Sequence, residues 1–360
     1  MPSGRRGNAH PDRRRRLLFA AALAIGVGLL ALPVLLADGR ELLRTARAIN
    51  PLVLTAPLLL TLFSYVAMAR SYQGIADAAG FQLGFRDWLR ITFVSNTANY
   101  LVTSAGLSGF AVRMYLPSQQ GVASGRAVLI SLVQMFLTNF TLLFFVSVGF
   151  VTLVARYDLS PVALVAASTA VTAFSAGLAY AVVLVYHRRL RRRTLLFVAE
   201  TAHRILRRVA PRWTPRRVRL WRFQHNLNEG LEFLLARKAR VVVPAWWITL
   251  DWVLTIGILF AAFRAVHYPI APGLVVIGFA VGICLSLISL VPGGLGVMES
   301  SMTAVFVSLG VPLEPAVVAV IIFRVAYYLV PLVISLFFFH GLMARAVHEV
   351  TATHPETAKI

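Results

Sequence analysis

Residues 274–309 form an apolar run that cannot be a single uninterrupted membrane helix. In its middle stands Val291-Pro292-Gly293-Gly294-Leu295-Gly296-Val297-Met298-Glu299, which places a proline, three glycines and a carboxylate where a lipid-facing segment would need regular helix. Proline removes a backbone donor, and glycine lowers helix stability. Hydrocarbon holds no water to satisfy the freed groups. A break at this depth is therefore expected inside protein or beside a watery cavity, the setting in which transporters use broken helices.

The remainder of the chain fits a polytopic membrane protein. Of its 360 residues 58% are hydrophobic, and the mean hydropathy is +0.76. These values exclude a soluble globular domain and give the expected fold class, an all-α polytopic membrane bundle. The net charge is +21, nearly all of it arginine, since Lys238 and Lys359 are the only lysines. The charge lies in blocks between apolar spans, so membrane topology accounts for it before nucleic acid does. Cys284, the single cysteine, allows no intramolecular disulfide and no cysteine metal site.

Residues 1–16 read as a basic arm and residues 17–36 as a retained signal anchor long enough to span. Further spans are expected at 52–69, 127–154, 162–186, 241–263, 273–291 and 315–342. Segment 187–240 carries sixteen Arg or Lys residues against Glu200, Glu229 and Glu232. The positive-inside bias places it, the basic arm and the tail 343–360 on the cytoplasmic side of the cell membrane. The chain then divides into an N-terminal transmembrane half, 17–186, and a C-terminal half, 241–342. Parity requires residues 91–112 to begin and end on one side, as a re-entrant segment broken at Ser104-Ala105-Gly106-Leu107-Ser108-Gly109. Residues 273–310 face the same choice on the opposite side: a hairpin, or one span followed by a short returning helix. Each half thus holds a glycine-rich break with a charge beside it, Arg113 in the first and Glu299 in the second. Paired interrupted segments point to an inverted repeat with a site between its halves.

Ionisable groups within spans cost about 2.5–3.5 kcal/mol each on insertion scales, so their positions are informative. Asp251 and Arg324 lie inside spans, and Glu299 follows the break. Two readings stand: a structural pair such as Asp251–Arg324, or a shared polar cavity of Glu299, Asp251 and Arg324 with Arg113 at its cytoplasmic mouth. A guanidinium at Arg113 can hold a phosphate in two-pronged geometry or simply snorkel to the interface. Asn96, Asn99 and Asn139 read as interhelical hydrogen-bonding residues, and Trp246, Trp247 and Trp252 as packing or an interfacial belt. Gly26 and Gly28 suggest close packing of the first span, with Gly26 less sensitive to substitution than Gly294.

No catalytic set emerges. His187, His203 and His225 lack partners at metal-ligand spacing, and no nucleophile elbow, phosphate loop or dinucleotide fingerprint is present. No cofactor and no enzymatic activity are expected. Leu195, Leu196, Val198, Ile205 and Leu206 give the basic segment an apolar side suited to the anionic inner leaflet.

The break with Glu299, the stretch Phe323-Arg324-Val325-Ala326-Tyr327-Tyr328-Leu329-Val330-Pro331, and Gly106, Gly109 and Arg113 together resemble the lysylphosphatidylglycerol synthase transmembrane, or flippase-like, family. The resemblance runs over residues 17–342. It departs where Thr103-Ser104 stands in place of the family's proline. It implies a membrane module that moves or binds a lipid, without the cytosolic aminoacyltransferase domain of lipid-synthesising members. The transport-site residues it suggests are Arg113, Asp251, Pro292, Gly293, Gly294, Gly296, Glu299, Arg324 and Tyr327. The expected function is translocation or binding of a phospho- or glycolipid, with membrane lipids of anionic or zwitterionic head group and a lipid-modifying enzyme as partners. An ion-coupled small-solute transporter and a non-transporting scaffold for a lipid-modifying or glycosyltransferase enzyme are the alternatives.

Overall fold

The computed structural model describes residues 24–101, 107–120, 122, 124–156, 161–191, 238–289 and 291–338, with isolated positions between 193 and 236. The basic arm, the start of the first span, positions 102–106, Asp158, most of segment 187–240 including His203 and His225, and the tail lie outside the described residues.

The described chain is helical throughout, with no strand. The helices are α1 (Ala24–Leu36), α2 (Gly39–Arg47), α3 (Thr55–Ala78), α4 (Phe85–Leu101), α5 (Leu107–Gln119), α6 (Ser124–Arg156), α7 (Pro161–Tyr186), α8 (Val242–Ala265), α9 (Pro272–Ile288), α10 (Val297–Ser308) and α11 (Leu313–Arg324). α11 continues through a π turn over Val325–Leu329, so that Leu313–Phe338 is one apolar helix. Gly125–Ala155, Ala239–Ala265 and Leu313–Phe338 are long and apolar enough to cross a membrane. α2 has no counterpart among the expected spans. It is a short helix with exposed Arg40, Arg44 and Arg47, capped where Asp38 accepts a hydrogen bond from the Arg40 N–H.

α3 and α8 form the centre of the bundle, and they run antiparallel. Gly74 lies against Pro244, Ser64 against Asp251 and Thr255, and Leu60 against Gly257, so one helix ascends as the other descends. α3 buries Thr61, Ser64, Ser71 and Tyr72, with Ser64 toward α8, Ser71 on Gln134 of α6 and Tyr72 on Trp88 of α4, which is why the lipid-like part of its sequence is short.

A single offset relates the two halves. The 187 residues that separate Ser64 from Asp251 also carry Thr55–Ala78 onto Val242–Ala265 and Phe85–Leu101 onto Pro272–Ile288. The same shift takes Gly106 and Gly109 onto Gly293 and Gly296. Backbone hydrogen bonds repeat with it: Phe81 N–H to Ala76 O and Tyr268 N–H to Phe263 O close the two central helices. The left-handed residue in that closure is Gly80 (φ 76°) in one half and His267 (φ 57°) in the other. α4 leaves the end of α3, and α9 leaves the end of the antiparallel α8. The two following hairpins therefore start from opposite faces.

Both breaks fold as hairpins. The Gly109 N–H donates to Asn99 Oδ1 at 2.7 Å and the Ser108 hydroxyl to Ala98 O at 2.8 Å, clasping α5 onto α4. The first hairpin is wider than the expected 91–112, since α4 begins at Phe85 and α5 ends at Gln119. In the second, Gly278 faces the Phe306 ring and Gly282 faces Met302. α9 has 17 residues and α10 has 12, or about 25 and 18 Å, short of the roughly 30 Å hydrocarbon core. Each half has its own apolar core: Tyr72, Ile75, Trp88, Ile91 and Ile130 in the first, Phe263, Phe279, Phe306 and Phe323 in the second. Outward apolar side chains such as Phe144, Val151 and Phe337 remain exposed, as a lipid-facing surface requires.

The inverted arrangement makes a direct expectation. In a Cys284→Ser background, single cysteines at Gln82 and Arg264, both exposed at the ends of the central helices, should react with an impermeant maleimide from opposite sides of sealed vesicles. Labelling of both from one side would refute it.

Candidate functional site

The site is built where the two hairpin tips meet. The turn after α9 has Gly293 at φ 59°, Gly294 at φ 62° and Gly296 at φ 79°, a left-handed series that glycine adopts at little cost. It is also crowded. A side chain on Gly294 would strike Ser286, and one on Gly293 would meet the carbonyl of Tyr100, at the tip of the other hairpin, at 3.1 Å. Pro292 opens this turn.

Arg324 reaches the turn from α11. Its Nε donates to Glu299 Oε1, and its Nη2 donates to the Gly293 carbonyl at 3.1 Å. The guanidinium also lies 3.7 Å from the centre of the Tyr328 ring. The two charged side chains are 10% and 5% exposed. Among the described residues, Glu299 Oε2 is buried without a partner. The sequence pattern accounts for this placement. Pro331 has no N–H to donate to Tyr327 O, and the Val330 N–H bonds instead to Val325 O, the wider spacing of a π turn. π bulges of this kind recur at functional sites. Here the turn directs Tyr327 and Tyr328 inward just beyond Arg324: Tyr327 stacks on Phe323 with ring centres 5.6 Å apart, and Tyr328 lies 4.3 Å from Tyr100.

Asp251 occupies a separate position at the crossing of α3 and α8. It is 5% exposed, and the Ser64 hydroxyl donates to its Oδ1 at 2.5 Å. The expected pair Asp251–Arg324 is not formed. Arg324 takes Glu299, because α10 and α11 are consecutive and bring those residues to one level, whereas α8 presents Asp251 to α3. Tyr327, Tyr100 and Tyr72 each interact electrostatically with Asp251, and Tyr100 and Tyr72 also with Arg324 and Arg113 respectively.

Arg113 lies on α5, in the first hairpin. Its Nη1 donates to Ser95 Oγ at 3.4 Å, its guanidinium stands 5.8 Å from the Tyr72 ring centre, and its Nε is buried without a partner among the described residues. The tips thus gather Pro292, Gly293, Gly294, Gly296, Glu299, Arg324 and Tyr327, while Asp251 sits at the crossing of α3 and α8 and Arg113 beside Ser95 and Tyr72.

The asparagines divide. Asn99 clasps the first hairpin, and Asn96 reaches Met68 Sδ on α3 at 3.1 Å. Asn139 instead donates to Met135 O of its own helix, so it joins no helices. Trp252 is buried and donates to Thr138 O, whereas Trp246 is exposed, as expected of packing and belt residues respectively. Residues missed from sequence are Ser64, Thr255, Tyr65, Tyr72, Tyr100 and Tyr328. The hydroxyls of α3 recur at helical spacing, a signal that the reading of residues 52–69 as a plain span passes over.

Gly26 also requires correction. A side chain there would meet Val291 Cγ1 at 2.7 Å and Leu295 O at 2.8 Å, and one on Gly296 would strike the Gly26 carbonyl, whereas Gly28 faces open space. The Ser300 hydroxyl donates to Leu29 O, pinning α1 to the same tip. Gly26→Leu should therefore be as damaging as Gly294→Leu, at the upper end of the about 1–3 kcal/mol typical of overpacking. Gly28→Leu should stay within about 0.5 kcal/mol of the parent. Thermal unfolding of the purified variants checks the contrast, and equal behaviour at 26 and 28 would contradict the packing.

Comparison with known proteins agrees with this architecture. Residues 19–335 match the lysylphosphatidylglycerol synthase TM region. The chain is 32% identical over 114 residues to a UPF0104 membrane protein of Methanothermobacter thermautotrophicus, a match covering 31% of this chain and 32% of the relative. It is also 32% identical over 102 residues to a phosphatidylglycerol lysyltransferase of Staphylococcus haemolyticus, covering 28% of this chain and 12% of that protein. The family match extending over most of its length, this chain belongs to the lysylphosphatidylglycerol synthase transmembrane-region family and is an all-helical, multi-pass membrane protein.

Proposed function

We propose that this protein moves a polar-headed phospholipid between the leaflets of the cytoplasmic membrane, with the hairpin tips as its head-group site and no chemistry of its own. The observation that carries this reading is the unsaturated ion pair at the tips. Arg324 is shared between one oxygen of Glu299, a backbone carbonyl and an aromatic face, while the second Glu299 oxygen has no partner among the described residues. A phosphate can replace Glu299 on the guanidinium in two-pronged geometry, and a head-group amine or hydroxyl can donate to the released carboxylate. Exchange of partners within a preformed pair replaces the hydration that the head group gives up. The phosphatidylglycerol in the name of the Staphylococcus haemolyticus relative supports a glycerophospholipid as the cargo.

Arg113, held by Ser95 and Tyr72, serves in this reading as a second phosphate contact. The basic segment 187–240 and both termini lie on the cytoplasmic side, where arginines bind the anionic leaflet at about 1 kcal/mol each. Membrane lipids are the partners, and nucleic acid is not.

The test is a leaflet-specific assay in vesicles containing fluorescent phosphatidylglycerol. Glu299→Gln should accumulate and fold but slow transfer by about 10-fold or more, the scale of a lost charge-assisted hydrogen bond. Arg324→Ala should lose about 3–5 kcal/mol of stability as well, since it leaves Glu299 buried without a counter-charge. Transfer unchanged in Glu299→Gln and in protein-free vesicles alike would move the role to a scaffold for a lipid-modifying enzyme.

A further inference from the structure

We propose that Asp251 is a proton-exchange site, a carboxyl that binds and releases one proton at the crossing of the two inverted halves. The site is distinct from the Glu299–Arg324 pair. Asp251 is 5% exposed, yet among the described residues it has no ion-pair partner. Its neighbours are neutral hydroxyls: Ser64 donates to Oδ1 at 2.5 Å, and Thr255, whose hydroxyl is 3.5 Å from that of Ser64, donates to the Asp251 carbonyl at 2.8 Å. By contrast Glu299 is matched by Arg324, and Arg113 lies against an aromatic face.

The titratable groups on the packed elements that interact electrostatically with Asp251 are phenols. α3 contributes Tyr72, α4 contributes Tyr100, and the π turn of α11 contributes Tyr327. α6 has no titratable residue between Arg126 and Arg156, and Cys284 is the only one on α9. Arg113 and Arg324 interact with Tyr72 and Tyr100 respectively, and neither pairs with Asp251 among the described residues. A carboxylate in this cage would have no counter-charge in contact, whereas the neutral acid needs none. The balance is simple: the carboxylate plus one proton gives the acid, and release returns the proton to water when the crossing opens.

Position gives the exchange its consequence. Ser64 and Asp251 are equivalent residues of the two halves, so their hydrogen bond lies on the axis about which the halves are related. Loss of the proton there strengthens the Ser64 hydrogen bond but leaves an unpaired charge buried between α3 and α8, and that charge favours opening of the contact that must change if the halves rock. Coupling to lipid transfer rests on the function proposed above; proton binding does not.

The full-length protein in detergent, studied by infrared difference spectroscopy between acidic and alkaline buffer, separates the two. A protonated-carboxyl C=O band that shifts in heavy water should vanish in Asp251→Asn and persist in Glu299→Gln. Ser64→Ala, which removes the hydrogen bond but keeps the acid, should move the band without abolishing it, and this decides the matter if Asp251→Asn does not fold. A band unaltered in both Asp251→Asn and Ser64→Ala, or absent from the parent, overturns the proposal. In vesicles with an imposed pH gradient, one-proton coupling changes the leaflet ratio of fluorescent phosphatidylglycerol by up to about tenfold per pH unit. A band that behaves as expected with a gradient-independent ratio removes coupling, and a parent protein that transfers no lipid removes the transport reading while the infrared result stands.

Discussion

Inside hydrocarbon a broken helix survives only if something satisfies the backbone groups the break has freed, and here the satisfier is a charge from another helix. Arg324 donates to the Gly293 carbonyl, which the turn after α9 leaves without a helical partner. A guanidinium at that depth needs a counter-charge, and Glu299 supplies it from the first turn of α10. Break, arginine and acid therefore depend on one another. Removing any one leaves the other two buried and unmatched. The crowding of Gly293, Gly294 and Gly296 against Tyr100, Ser286 and Gly26 follows from the same demand, because the turn must lie close enough for Arg324 to reach it.

The inverted repeat places this clasp centrally. Each half consists of a long helix, a hairpin of two short helices and a second long helix. The antiparallel contact of α3 and α8 sends the hairpins in from opposite faces, so that their tips touch at Tyr100 and Gly293. The halves have diverged in chemistry while keeping this geometry. Where the first closes its tip with Asn99 on the Gly109 N–H, the second has Ser286 against Gly294. Where the fold requires a left-handed residue after the central helix, the first uses Gly80 and the second tolerates His267. Divergence of this kind gives one side a guanidinium, Arg113, and the other a carboxylate–guanidinium pair, an asymmetry that suits a ligand passing from one face to the other.

Much of this is legible in the order of residues. Proline and three glycines in an apolar run announce a break wherever they occur, and parity of the arginine-rich segments requires a second. Glu299 and Arg324 stand out because charge in an apolar run is expensive. The repeat is visible there only as paired breaks, because its signal lies in helix boundaries and backbone hydrogen bonds, not in residue identities. The hydroxyl stripe of α3 is hidden for a similar reason: serine and threonine barely disturb hydropathy, and their importance depends on the acid they face.

The sequence by itself determined that the chain is a helical membrane protein, where its backbone must break, and which ionisable side chains must be sheltered. These follow from local free energies, which depend only on residue type and depth. The tertiary structure decided who shelters whom. It gave Arg324 to Glu299 and left Asp251 with Ser64, confined Gly26 against Val291 and Leu295, and left Asn139 bonded within its own helix. Partner choice depends on the level and rotation at which helices meet, and those are set by packing between segments far apart in the chain.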